Sequence, residues 1–120
     1  SLGEGWWSPS LPTVTGTRYR ISWQSRAEEL QPAAGDPRSG PVVFVQWTND
    51  TGQKLVRHYL WGADDSGKPH GKLARKGSYP WTGDGGEVTA PEGATRVRFC
   101  FGLRRCKGMV KYRDMHITAS

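Results

Sequence analysis

The chain has 120 residues and a mass of 13.3 kDa, enough for one domain with its own core and too little for two ordinary ones. Hydrophobic residues make up 35%, but six Trp, four Tyr and three Phe bring large apolar areas, so the composition excludes a disordered chain. Seventeen Lys and Arg against eleven Asp and Glu leave a net charge of +6 and a pI near 9.7, which either favours an anionic partner (nucleic acid, an anionic membrane surface, an acidic polysaccharide) or serves solubility alone.

Sixteen glycines and eight prolines are spread along the sequence and leave no room for a long helix, and no apolar run approaches the roughly 20 residues that cross a bilayer. All-β is the class this predicts. Residues 1–16 read as irregular and turn-rich, with Trp6 and Trp7 adjacent. The first strand is predicted over residues 17–27, where Tyr19, Ile21 and Trp23 alternate with Arg18, Arg20, Ser22 and Gln24, and Arg26 follows; the two sets must point to opposite faces. Residues 28–41, with Pro32, Gly35, Pro37 and Gly40, read as a loop. Residues 42–48 are nearly continuous in apolar side chains, as expected of a central strand covered on both sides. Asn49-Asp50-Thr51-Gly52 supplies a hairpin turn, and in form a glycosylation sequon, leading into a strand over residues 53–61. Residues 62–86 read mostly as loop, with short strands around 72–74 and 79–81.

The last third carries the strongest pattern. Val97, Phe99, Phe101 and Leu103 alternate with Arg96, Arg98, Cys100 and Gly102, and after a turn Val110 and Tyr112 alternate with Lys111 and Arg113. This predicts a closing hairpin with one dry face and one cationic face. Cys100 and Cys106 lie on either side of the turn, as one disulfide or as two buried thiols, and are too few for a zinc site of cysteines alone. Two packed antiparallel sheets of six to nine short strands are the economical arrangement of these pieces.

Catalytic constellations are scarce. No nucleophile elbow, zinc-protease helix or phosphate-binding glycine loop occurs, and His58, His70 and His116 fall at spacings that suggest no shared metal. Glu28, Glu29, Asp84, Glu87 and Asp114 read as turn or surface carboxylates, and Asp64-Asp65-Ser66-Gly67 as a solvated turn. A domain this small leaves little material for a deep, water-excluding cleft, so binding without catalysis is expected.

The segments GTRYRISWQSRAE (residues 16–28), VVFVQWTNDTG (42–52) and YPWTGDGGEVTAPEGATRVRFCFGLRRCKGMVKYRDMHI (79–117) resemble carbohydrate-binding modules of the family 4, 9, 16 and 22 kind. The resemblance covers most of the chain in order. It implies a galactose-binding-domain-like jelly roll over residues 1–120, a monomer excised from a larger secreted protein, and a non-catalytic, extracellular role that targets an appended glycoside hydrolase or lyase to polysaccharide. It implies neither a nucleic-acid nor a membrane partner. The opening SLGEGWW lacks the family's first-strand motif, and the family's closing acidic pair stands here as Arg113-Asp114. Asp114 is thereby the candidate ligand for a structural calcium, the one cofactor the resemblance suggests.

In such modules one concave sheet lines a groove. Carried over by alternation, its polar side chains are Arg20, Ser22, Gln24, Gln46, Thr48, Arg98, Lys111 and Arg113, and its aromatic platforms Trp6, Trp7, Tyr59 and Trp61, with Trp23, Trp47 and Trp81 assigned structural roles. Several cations on the recognition face point to an acidic glycan, bearing uronate or sulfate, because Arg pairs carboxylate or sulfate through two parallel hydrogen bonds. The rival reading is an architectural sandwich packing on a catalytic domain, with Trp6, Trp7 and Trp61 gathered in one exposed patch. Binding of single-stranded nucleic acid is a third reading, with no aromatic motif or basic helix behind it.

Overall fold

The described residues, 4–71 and 76–120 of a computed structural model, fold into nine strands. These are β1 (Glu4–Trp7), β2 (Leu11–Pro12), β3 (Arg18–Pro32), β4 (Gly40–Thr48), β5 (Lys54–Ala63), β6 (Pro69–His70), β7 (Gly77–Thr89), β8 (Arg96–Arg104) and β9 (Cys106–Ala119). One sheet runs β1-β8-β4-β5-β6, with β2 also on β8, and the other β7-β3-β9. Every described pairing is antiparallel. β3 lies over β4, β9 over β8 and β7 over β5, which makes the domain an antiparallel β-sandwich. Among the described residues no helix is long and apolar enough to cross a membrane.

Strand alternation decides what fills the space between the sheets. Val43, Val45 and Trp47 of β4 and Val97, Phe99 and Phe101 of β8 meet Tyr19, Ile21 and Trp23 of β3 and Val88 of β7 in one buried cluster. β4 is covered on its other side too. Val42 and Phe44, together with Cys100 of β8, form a small second cluster on the outer face, roofed by Trp7 and Tyr59.

Four expectations are corrected by the strand pairing. First, β8 and β9 do not pair as a hairpin. β8 is bonded to β1 and β4, β9 to β3, and Arg105, with φ 45°, turns the chain from one sheet to the other. Second, the opening residues include an edge strand: Glu4, Gly5, Trp6 and Trp7 pair with Leu103, Gly102, Phe101 and Cys100, a signal too short to read as alternation. Third, β3 continues to Pro32 through bulges after Ser25 and Ala27, where the two-residue period is broken. Fourth, the glycine-rich stretch before Thr89 belongs to the 13-residue strand β7. A Cβ at Gly85 would stand 2.9 Å from the Ile21 carbonyl oxygen, so that glycine marks a close approach of neighbouring strands instead of a turn. The short strand expected around residues 72–74 lies outside the described residues.

Gly62 sits in β5 with φ +93°, and a Cβ there would lie 2.9 Å from Val42 Cα. Gly62→Ala is expected to cost about 1–3 kcal/mol of stability, as for a non-glycine residue held in the left-handed region, and urea unfolding checks it.

Candidate functional site

The outer face of the larger sheet is built in rows. Pairing places Gln46 of β4 between Arg98 of β8 and Arg57 of β5; one step along the strands, Phe44 stands between Cys100 and Tyr59, and Cys100 opposes Trp7 of β1. On the other side of the Gln46 row, Thr48 stands between Arg96 and Lys54. Strands lie roughly 4.8 Å apart and same-face rows about 7 Å apart, so four cations and three aromatic rings share a small patch.

These side chains are held in place. Gln46 is buried, and its Nε2 donates to the carbonyls of Trp47 and Leu55 at 2.9 Å each, which turns Oε1 towards Arg57; Arg57 Nε donates to it at 2.7 Å. The Arg57 guanidinium lies over the Phe44 ring, 4.4 Å from its centroid. Arg98 Nε donates to the Ser8 carbonyl at 3.1 Å and its guanidinium lies 4.8 Å from the Trp7 centroid. Trp7 and Phe44 meet edge to face at 5.3 Å, Phe44 and Tyr59 lie tilted at 35° and 5.1 Å apart, and His70 stacks on Tyr59 at 5.9 Å. Arg96 is tied to Ser10 by two hydrogen bonds of 2.7 Å.

The middle rows of this face differ in charge pairing from the smaller sheet's arginines. Among the described residues Lys54, Arg57, Arg96 and Arg98 form no ion pair with a carboxylate. At the end of this face Arg104 is bonded to Tyr59 Oη at 2.9 Å and paired with Asp65 at 3.4 Å. Beside it His70 Nε2 lies 3.0 Å from Asp64; that hydrogen bond, with those from Ser66, holds the Asp64 carboxyl far below the usual range. An open cleft of about 950 Å³ continues along β5, lined among others by Gln46, Lys54, Arg57, Tyr59 and His70.

On the smaller sheet three arginines have carboxylate neighbours. Arg20 pairs with Glu87 at 2.8 Å, Arg26 with Glu28 at 3.2 Å, and Arg113 bonds Gln24 at 2.8 Å and stands 3.8 Å from Asp114. Trp81, assigned a structural role from sequence, lies half-buried here beneath Arg113, 4.0 Å from the ring centroid, and near Arg26 at 5.8 Å. Lys111 is exposed opposite Arg26.

The expected continuous groove is therefore divided. Trp7, Gln46, Tyr59 and Arg98 lie on the larger sheet; Arg20, Gln24, Lys111 and Arg113 lie on the smaller one, facing the other way, because β8 and β9 belong to different sheets. Trp61 is only 3% exposed and packs edge-on against Trp23 at 6.2 Å, so its ring offers no platform. Trp6, 47% exposed, tilts over Phe101 at the open seam between β1 and β9. Trp6 and Trp61 face the space between the sheets and Trp7 the outer face, so the three do not form the single exposed patch that the architectural reading requires. Asp114 is exposed with φ 53°, and among the described residues no group of three or more His, Cys, Asp or Glu side chains that could hold a metal ion converges. Sequence reasoning put Arg96 on the cationic face of β8 but missed Lys54, Arg57 and Phe44 as outer-face residues. A bulge in the β4-β5 pairing shifts the alternation of β5, and an apolar run such as β4 hides which side is outward.

Cys100 lies beneath this face as a free, buried thiol, and burial pushes its pKa up to about 12. A native protein at pH 8 is expected to resist iodoacetamide at Cys100 and to react on unfolding, as followed by mass spectrometry. The raised value also means that the neutral thiol favours the fold below the ordinary thiol pKa, and that this contribution fades as pH climbs through about 9 towards 12.

No protein-family model matches the chain, and no curated protein matches it.

Proposed function

We propose that the chain is a non-catalytic module that binds an acidic polysaccharide on the outer face of the larger sheet. The carrying observation is that Arg57 and Arg98 are each fixed by a ring and a hydrogen bond, yet neither is neutralised by a described carboxylate. Unpaired like charges held side by side disfavour one another, and a carboxylate- or sulfate-bearing chain relieves that cost while gaining charge-assisted hydrogen bonds. Thr48, between Arg96 and Lys54, offers a further hydroxyl partner for sugar hydroxyls. In this reading the module is secreted, monomeric and attached to a glycoside hydrolase or lyase, which it keeps at its substrate, and it takes the jelly-roll topology of the modules it resembles.

Native gels cast with a sulfated glycan, a polyuronate or a neutral xylan test the reading. Retardation is expected in the acidic gels only, weakening as salt screens the charges, with no new reducing ends formed in any of them. Salt-insensitive retention in xylan alone would overturn it.

A further inference from the structure

Resting on that reading of the outer face, we infer that Arg57 and Arg98 form a two-armed clamp for one tetrahedral oxyanion, and that the glycan it selects carries sulfate monoesters. The two guanidiniums lie over adjacent rings, Phe44 and Trp7, whose centroids are 5.3 Å apart. In each, the Nε edge is turned inward, to Gln46 Oε1 and to the Ser8 carbonyl. The terminal Nη groups have no hydrogen-bond partner among the described residues; Arg98 is exposed, and Arg57 is half-buried with neither Nη among the buried unpartnered atoms, so both forks reach solvent.

The number of oxygens decides what fits between two forks. A carboxylate has two, which one guanidinium satisfies in bidentate fashion. A sulfate monoester presents three terminal oxygens around one centre and keeps its full charge across the physiological range, so both arms can bond the same group. A phosphate monoester shares that shape, whereas the phosphodiester of a nucleic acid offers only two free oxygens. Arg96 and Lys54, one row away at about 7 Å, suit a further charge on the same chain, which favours a densely sulfated glycan over one with sparse carboxylates.

Titration of the intact chain tests this, with sucrose octasulfate as probe beside a galacturonate oligomer, a sugar phosphate and a single-stranded DNA oligomer of equal total charge. Sucrose octasulfate is expected to shift the side-chain N–H signals of Arg57 and Arg98, and to bind at least about tenfold more tightly than the other three. R57K and R98K keep the charge and lose the fork; each is expected to weaken sucrose octasulfate binding about tenfold while the variant still unfolds in one cooperative transition above the titration temperature. Undisturbed arginine signals, or lysine variants that bind like the parent, would overturn the clamp. Equal or tighter binding of the galacturonate, the sugar phosphate or the DNA would overturn the sulfate preference in favour of that ligand. Loss of the polysaccharide reading looks different: no retention in any acidic gel, while sucrose octasulfate still moves both arginine signals.

Discussion

Phe101→Ala is expected to lower the urea midpoint more than Gly62→Ala or Trp6→Ala does. The ring is 1% exposed and touches three others in three strands: Trp6 of β1 at 5.9 Å, Trp23 of β3 at 5.8 Å and Tyr112 of β9 at 5.6 Å. It therefore joins the edge of one sheet to the centre and edge of the other. Truncating a buried Phe costs about 3–5 kcal/mol, because the apolar transfer energy is lost and the surroundings close only partly over the cavity. Domains of this size are stable by about 5–15 kcal/mol, so one such cavity removes much of the total. Trp6→Ala, at the exposed neighbour, is expected to cost far less. Urea unfolding followed by tryptophan fluorescence checks both; equal midpoints for the two variants would contradict the assigned core.

The second large effect concerns binding. Arg57→Ala with Arg98→Ala is expected to weaken retention on a sulfated polysaccharide by about a hundredfold or more, since each hydrogen bond to a charged group contributes about 1.5–3 kcal/mol. Folding should survive, because both guanidiniums lie outside the two-sheet core and neither neutralises a described carboxylate. Affinity electrophoresis at two salt concentrations separates this loss from simple charge reduction. The control is Arg20→Ala with Arg113→Ala, which removes the same charge from the opposite face, where Glu87 and Gln24 already hold both side chains.

The fold class was legible because alternation is local. Tyr19, Ile21 and Trp23 against Arg18, Arg20 and Ser22 told which way β3 faces, and the apolar run of β4 told that it is central. Pairing was not legible, because it depends on partners far along the chain. Nothing between Leu103 and Cys106 indicates that Arg105 sends β9 to the other sheet, and a tight turn between two alternating strands looks the same as a hairpin. That one difference placed Arg98 and Arg113 on opposite sides of the sandwich. Arg98 was found because β8 alternates cleanly, Gln46 as a polar side chain within the apolar run of β4, and Trp7 and Tyr59 as rings near loops or edges, whereas Arg57 was hidden by the β5 bulge and Phe44 by its resemblance to a core residue. The net charge of +6 was visible from composition, but not that Lys54, Arg57, Arg96 and Arg98 would stand without a described carboxylate partner while Arg20, Arg26 and Arg113 have one.

Backbone amide shift mapping with a sulfated oligosaccharide tests the central claim most directly. The account predicts that perturbed signals cluster on β4, β5 and β8 around Gln46, Arg57 and Arg98, and fade together as salt is added. Perturbations gathered on β3, β7 and β9 around Gln24, Trp81 and Arg113 would contradict it.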